Sequence, residues 1–217
     1  MLTIYLVRHG KTLFNTLHRV QGWCDSPLTE EGREGARALG RGFKNKGIRF
    51  DAAYTSELGR HRETMREILD SMGQKDLQIH ENNGFREVGF GSWEGELESV
   101  RDKVYCEKAG TNTILEIFNL GHLIYDITIE TDTMGIAERP ETVLKRMLGA
   151  IHSITEEQES GNVLVVSSGA SITTLLDYYG SGIRSLDNCC VSLLYCEDDG
   201  VKIGSVGDMS YVESGRQ

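Results

Sequence analysis

Short apolar segments alternate with longer amphipathic ones along most of this sequence, and this alternation predicts an α/β layer fold. The segment Asn162 to Ser167 is a continuous apolar run, which is typical of a strand buried on both faces of a parallel sheet. Leu2 to Val7, which ends at Gly10, and Ala52 to Ser56 are shorter runs that also predict strands.

Helix signals separate these strands. Thr29 is a suitable N-cap for a helix from Glu30 to Lys46, which Gly47 would end, and Pro140 suits the first turn of a later helix. Further helices are expected at 59–72 and 171–179, and further strands at 77–80, 191–196 and 201–206, the last two joined by a turn at 198–200. Gly95 to Glu138 lacks a strand rhythm, and we expect it to be an insertion over one edge of the sheet within a single domain, 1–217.

Charge and cysteine usage exclude several classes of protein. The chain has 23 Lys and Arg against 33 Asp and Glu, so its net charge of −10 disfavours nucleic acid and anionic membranes as partners. Its apolar stretches are too short to cross a bilayer, and MLTIYLVRHG lacks the features of a signal peptide. An odd count of five cysteines without a C-x-x-C pair favours reduced thiols in a cytoplasm.

Polar side chains follow the predicted strands and are candidates for catalysis. Arg8 and His9 follow the first strand, where a neutral imidazole can attack an electrophile beside a guanidinium that holds a phosphoryl oxygen. Arg60 lies just inside a helix N-terminus, which favours anions. Glu87 lies in a glycine-rich, aromatic setting, where partial desolvation would favour a general acid. Taken singly, each has a plain alternative: a surface turn for Arg8-His9 and a solvated loop acid for Glu87.

Several spaced motifs, in order, resemble the histidine phosphatase superfamily, also called the phosphoglycerate mutase-like family. They are LVRHGKT at 6–12 with Asn15, VQGW at 20–23, DSPLTEEG at 25–32, 56–64 with Arg60, Arg86-Glu87 to Glu94-Gly95, and VVSSG at 165–169. The resemblance covers nearly the whole chain. It implies a three-layer α/β sandwich in which helices flank a mostly parallel central sheet, with a helical cap at 95–138.

The resemblance also implies a phosphohistidine mechanism that needs no metal or other cofactor. His9 would attack the phosphorus of a phosphorylated small molecule, while Arg8 and Arg60 clamp the phosphoryl oxygens with help from Asn15. Glu87 would protonate the leaving oxygen and then activate the water that hydrolyses the intermediate. Gln21 and Gly22 would line the mouth of the pocket.

One position departs from the family pattern. The family usually has Ser-His-Gly after the late strand, and that second histidine binds the transferring phosphoryl group. This chain has Ser168 there. Loss of one transition-state donor costs ~3 kcal/mol, roughly a hundredfold to a thousandfold in rate. Three explanations remain open: a weak enzyme, a non-catalytic descendant that binds phosphorylated ligands, and a change from the natural sequence at this position.

The remaining histidines and cysteines show no spacing for a metal site. We expect His61 and His122, which can approach the pocket, to be structural or solvated, and the Cys189-Cys190 pair to serve packing. Family mutases are usually longer than this chain, and the 86–95 segment is more similar to the phosphatase branch. The sequence therefore predicts phosphomonoester hydrolysis, with mutase-type transfer and phospholigand binding as alternatives.

Overall fold

The computed structural model describes residues 1–120, 123–197 and 200–217, and six strands in those ranges form one central sheet. Their order across the sheet is β3-β2-β4-β1-β5-β6. The strands are β1 (Leu2–Arg8), β2 (Ala52–Thr55), β3 (Ile79–Glu81), β4 (Gly161–Ser167), β5 (Val191–Glu197) and β6 (Gly200–Ile203).

Most neighbouring strands of this sheet run parallel. β1 pairs with β4, β4 with β2, and β2 with β3 in parallel, whereas β5 is antiparallel to both β1 and β6. The prediction of a mostly parallel sheet is therefore confirmed. The register sets Arg8 opposite Ser167, so that the residues after β1 and β4 emerge side by side at one edge.

Helices cover both faces of the sheet, which confirms the three-layer α/β sandwich. On one face α2 (Glu30–Asn45), α3 (Gly59–Met72) and α9 (Ser210–Arg216) pack through Phe43, Met65 and Tyr211, and on the other α7 (Pro140–Glu157) and α8 (Gly169–Tyr178) pack through Met147 and Leu175. Successive residues of a strand point to opposite faces, which is why the central residues of β1 and β4 are continuously apolar. The helices are α1 (Leu13–Thr16), α2 (Glu30–Asn45), α3 (Gly59–Met72), α4 (Glu98–Ala109), α5 (Ile114–Asn119), α6 (Leu123–Thr131), α7 (Pro140–Glu157), α8 (Gly169–Tyr178) and α9 (Ser210–Arg216).

The predicted element boundaries hold best where a cap is present. Thr29 accepts a hydrogen bond from the Gly32 amide as N-cap of α2, and Pro140 begins α7. The predicted strand at 201–206 is wrong beyond Ile203, because Gly204 donates to the Leu193 carbonyl (2.8 Å) while Ser205 accepts from the Leu193 amide (2.8 Å), so that two residues face one and the regular pairing stops. Strand β3 lies at 79–81 rather than 77–80, α8 begins at 169 rather than 171, and the sequence did not predict α1 or α9. Residues 198 and 199 of the predicted turn lie outside the described residues.

The segment between β3 and α7 is helical. Its helices α4, α5 and α6 pack around their own apolar cluster, centred on Tyr105, Ile117 and Ile127. Trp93 donates a 2.9 Å hydrogen bond to Thr131 Oγ1, which ties the start of the segment to α6. In the described part of the chain, none of the helices has the length and apolar character needed to span a membrane.

Candidate active site

The sheet brings the predicted catalytic residues of β1 and β4 to one edge. The His9 amide donates a 3.0 Å hydrogen bond to the Ser167 carbonyl, so His9 and Ser168 continue neighbouring parallel strands. Residues Arg60 and His61 reach the same place from the first turn of α3, which follows β2. Carboxyl ends of parallel strands are where open α/β sheets bind ligands.

His9 is held in the form that a nucleophile requires. Its Nδ1 lies 2.8 Å from the Gly10 carbonyl oxygen, which can only accept, so Nδ1 carries the proton and Nε2 keeps its lone pair. A Cβ on Gly10 would lie 2.7 Å from the Gly32 carbonyl oxygen, so only glycine allows the loop to pass this close to α2. Burial, then Arg60 and Arg8, lower the pKa of His9 well below 6.5. The imidazole is therefore neutral at pH 7.

Each of the two arginines keeps a buried donor without a protein acceptor in the described ranges. Arg8 donates through Nη1 to the Leu186 carbonyl, and its Nε has no partner. Arg60 donates to the carbonyls of Gly22 (2.8 Å) and Cys24 (3.0 Å) and to Asp25 (3.0 Å), while its Nε is unpartnered. Buried polar groups are normally satisfied, so unpartnered N–H groups beside a neutral histidine are the donors that a phosphoryl group would use.

Glu87 is fixed at the N-terminus of α8. Its Oε1 accepts from the amides of Val88 (2.9 Å) and Ser171 (2.8 Å), and its Oε2 accepts from the Ala170 amide (3.1 Å). Glu87 is 6% exposed and lines the cavity described below. Its orientation is thus set by the backbone.

The three residues predicted to bind substrate, Asn15 beside the phosphoryl group and Gln21 and Gly22 at the pocket mouth, divide into two roles. Asn15 and Gln21 line the cavity, and Gln21 is held by hydrogen bonds from the hydroxyls of Thr12 (3.1 Å) and Ser26 (2.5 Å). Gln21 Nε2 is buried without a partner in the described residues, so it is a further free donor. Gly22 does not line this cavity; its carbonyl accepts from Arg60, and a Cβ there would lie 2.2 Å from the Val88 oxygen.

Sequence reasoning missed His61 as a site residue. A solvated role is wrong, because the side chain is fully buried and its ring stacks on that of His9, with 5.4 Å between centroids. Its Nε2 lies 2.6 Å from Ser168 Oγ, which also accepts from Arg60 Nη2 at 3.3 Å. Two features of the sequence could have drawn attention to His61: it directly follows Arg60, and position 168 is a serine rather than a histidine. His122 lies outside the described residues.

A cavity of about 670 Å³ opens beside Arg8 and Glu87. This volume falls within the range of pockets that hold drug-sized ligands. Its wall includes apolar side chains of the helical segment and α7, namely Ile114, Phe118, Ile124, Tyr125 and Leu144. His9, Arg60 and Ser168 are buried and lie outside the set of residues that line it. Within the described residues, no cluster of three or more His, Cys, Asp or Glu side chains could hold a metal ion.

The two buried imidazoles make stability depend on pH. Burial and the charge of Arg60 lower the pKa of both His9 and His61 well below 6.5, so the unfolded chain binds protons that the folded chain does not. The contribution of these two histidines to the free energy of unfolding is therefore fully present above about pH 6.5 and is lost progressively as the pH falls below it. At pH 5.5 we expect a loss on the order of 1 kcal/mol for each histidine.

Urea unfolding between pH 7.5 and 5.5 measures this slope. His61→Gln should remove about half of it, whereas the matched control His152→Ala, at an exposed histidine, should leave it unchanged. An unchanged slope in His61→Gln would contradict the assignment.

Comparisons with known proteins identify relatives over most of the chain. A family model described as the histidine phosphatase superfamily (branch 1) matches residues 4–116 and 120–209. A 2,3-bisphosphoglycerate-dependent phosphoglycerate mutase of Parvibaculum lavamentivorans is 45% identical over 101 residues, which are 46% of this chain and 48% of that protein. This match therefore spans about half of the length of the curated relative.

Solved structures extend the similarity to the whole chain. The crystal structure of phosphoglycerate mutase from Bacillus anthracis is 37% identical, with a TM-score of 0.95, over 100% of this chain and 97% of that one. Phosphoserine phosphatase from Entamoeba histolytica, at 21% identity and a TM-score of 0.73, shares the fold over 97% of this chain and 99% of its own.

Proposed function

The chain belongs to the histidine phosphatase superfamily, and we propose that it is a metal-independent phosphomonoester hydrolase that works through a phosphohistidine on His9. The neutral His9 supports this proposal, because Nε2 is available to attack phosphorus. Phosphoryl transfer depends mainly on positioning and on charge stabilisation, and both arginines offer donors for the phosphoryl oxygens.

The proposed reaction has two steps at one nitrogen. In the first, His9 Nε2 bonds to phosphorus as the ester P–O bond breaks, and Glu87 gives a proton to the leaving oxygen. In the second, a water oxygen bonds to phosphorus as the N–P bond breaks, and Glu87 takes the proton of the water. Asn15 and Gln21 line the cavity from which the substrate enters.

The wall of the cavity supports hydrolysis of esters with an uncharged body over mutase chemistry. Besides Glu87, four acidic side chains line it: Glu98, Asp102, Glu141 and Asp177. Two further arginines of the wall are paired with carboxylates, Arg101 with Asp102 and Arg184 with Asp177, and Arg19 donates to the Gly95 carbonyl. A phosphoglycerate would bring a second anion to this acidic surface, whereas an apolar body would contact the aromatic and aliphatic wall.

A phosphate-release assay in excess chelator tests this choice. Across a series of alkyl phosphates, kcat/KM should rise roughly fourfold for each added CH₂ that the wall buries, since each contributes about 0.8 kcal/mol. Phe118→Ala should flatten this rise, while the matched control Leu115→Ala, on the exposed side of α5, should preserve it. A rate that is independent of chain length would contradict the proposed substrate class.

Phosphoglycerate mutase activity is the second candidate, favoured by the 37% identity to the Bacillus anthracis enzyme over the full chain. This activity is established if the protein interconverts 2- and 3-phosphoglycerate faster than it releases phosphate, and does so only when 2,3-bisphosphoglycerate is present.

The remaining alternative is a disabled protein that only binds phosphorylated ligands. Such a protein would bind phosphate and lose that binding in Arg8→Ala. It would hydrolyse phosphomonoesters no faster than His9→Ala does.

The proposed partner is a phosphorylated small molecule rather than nucleic acid or an anionic membrane. A net charge of −10 repels both of these negatively charged surfaces. We further propose that the protein works in a cytoplasm. This is supported by five free cysteines: Cys24, Cys106, Cys189, Cys190 and Cys196.

A further inference from the structure

His61 and Ser168 form a buried chain of hydrogen bonds beside the nucleophile. His61 Nδ1 lies 2.7 Å from Ser56 Oγ, and Nε2 lies 2.6 Å from Ser168 Oγ. All three side chains are fully buried, and the His61 ring stacks on His9. Both nitrogens of the imidazole are therefore committed to serine hydroxyls.

A neutral His61 ring carries one proton, so it donates to one serine and accepts from the other. Ser56 Oγ also accepts from the Leu58 amide at 3.3 Å. With the ring proton on Nε2, Ser56 donates to Nδ1 and Ser168 accepts, and with the ring proton on Nδ1 the two serines exchange these roles. In either tautomer, the serine that accepts from the ring keeps a hydroxyl proton without an acceptor in the described part of the chain.

The tautomer with the ring proton on Nε2 leaves the proton of Ser168 available. In that tautomer Ser168 Oγ accepts from His61 Nε2 and from Arg60 Nη2, and a hydroxyl has only two acceptor lone pairs and one proton. Two donors that polarise one hydroxyl strengthen the hydrogen bond it can donate. Ser168 and His9 continue neighbouring strands, and both contact the ring of His61.

The sizes of residues 61 and 168 complement each other. Ser168 Oγ is already in hydrogen-bond contact with the ring of His61, so an imidazole at 168 would overlap that ring. An imidazole at 168 in the rotamer of the serine would therefore compete with His61 for the space that His61 fills from α3.

We propose that Ser168 donates a hydrogen bond to the transferring phosphoryl group and that His61 is the positioning residue that polarises it. Together they replace the second histidine that is usual at position 168. The inference rests on the proposed function at the same site. Ser168 keeps its proton throughout, since the only bonds that form or break are those at phosphorus and at the proton carried by Glu87.

A swap of the two side chains tests this pairing. Ser168→Ala should lower kcat roughly a hundredfold to a thousandfold. His61→Ala should lower it roughly tenfold to a hundredfold, the size seen for residues that orient metal ligands. Ser168→His alone should also lose activity, because the two rings collide. The double variant His61→Ala/Ser168→His should recover kcat to within about tenfold of the unmodified protein.

Two outcomes would overturn the inference: a Ser168→His protein that turns over faster than the unmodified one, or unchanged kcat in His61→Ala. The His152→Ala protein is the control, since that histidine is exposed on α7. Nitrogen-15 NMR of the unmodified protein provides a test without an altered site. The resonance that His61→Gln removes should show a protonated Nε2, and a protonated Nδ1 would overturn the inference.

Orthovanadate binding separates this inference from the proposed hydrolysis. If the unmodified protein releases no phosphate but binds orthovanadate at least tenfold more tightly than Ser168→Ala and His61→Ala, hydrolysis fails and the pairing stands. If all three proteins bind orthovanadate equally, the pairing is wrong whether or not phosphate is released.

Discussion

Replacing His9 by alanine should lower kcat for phosphomonoester hydrolysis on the order of 10⁶-fold. The imidazole stacked on His9 cannot take its place as the nucleophile, because both nitrogens of His61 are hydrogen-bonded to serines. Steady-state phosphate release measures the loss.

The control for this variant is His152→Ala, which should retain full activity because His152 is exposed on α7. Substantial turnover in His9→Ala, at more than about one hundredth of the unmodified rate, would show that phosphorus is attacked by another group.

Arg60→Ala should have the second-largest effect, because it changes both chemistry and folding. Arg60 is 1% exposed and joins the loop carbonyls of Gly22 and Cys24, the carboxylate of Asp25 and the hydroxyl of Ser168. Asp25 is itself accessible to solvent, so the cost comes mainly from the carbonyls of Gly22 and Cys24 that lose their donor, about 1–3 kcal/mol for each buried group left unsatisfied. Loss of an arginine that stabilises a transferring phosphoryl group costs roughly 10³- to 10⁵-fold in kcat.

Urea unfolding and kcat measure the two parts of this prediction separately. Arg62→Ala is the matched control, since Arg62 lies two residues further along α3 in a half-exposed pair with Glu81 and should cost less than about 1 kcal/mol. A stable Arg60→Ala protein with unchanged phosphate affinity would contradict the clamp.

The sequence predicted the sheet and the layers because the relevant signals are local. β1 and β4 are apolar on both faces, and Thr29 and Pro140 mark helix starts, so periodicity and capping were sufficient. The partners of Arg8 and His9 are determined by strand order, which the local signals did not predict and which the structure supplies.

The contact between His61 and Ser168 could not be predicted from local signals. The two residues are 107 positions apart, and each has an ordinary local explanation, a helix residue and a strand end. Their contact depends on the volumes and hydrogen-bonding groups of two side chains that α3 and β4 bring together, so it is visible only in the folded structure. The end of β6 at Ile203 has a similar cause, since the pairing of both Gly204 and Ser205 with Leu193 depends on how β5 and β6 are aligned.

Alkaline-quench trapping of the phosphoenzyme tests the central claim most directly. The unmodified protein is mixed with a phosphomonoester in excess chelator, quenched within milliseconds and mapped by mass spectrometry under conditions that preserve phosphohistidine. The account predicts a single acid-labile phosphoryl group on Nε2 of His9 that forms and decays at the rate of turnover. Phosphate release with an unlabelled His9, or with the label on another residue, would contradict it.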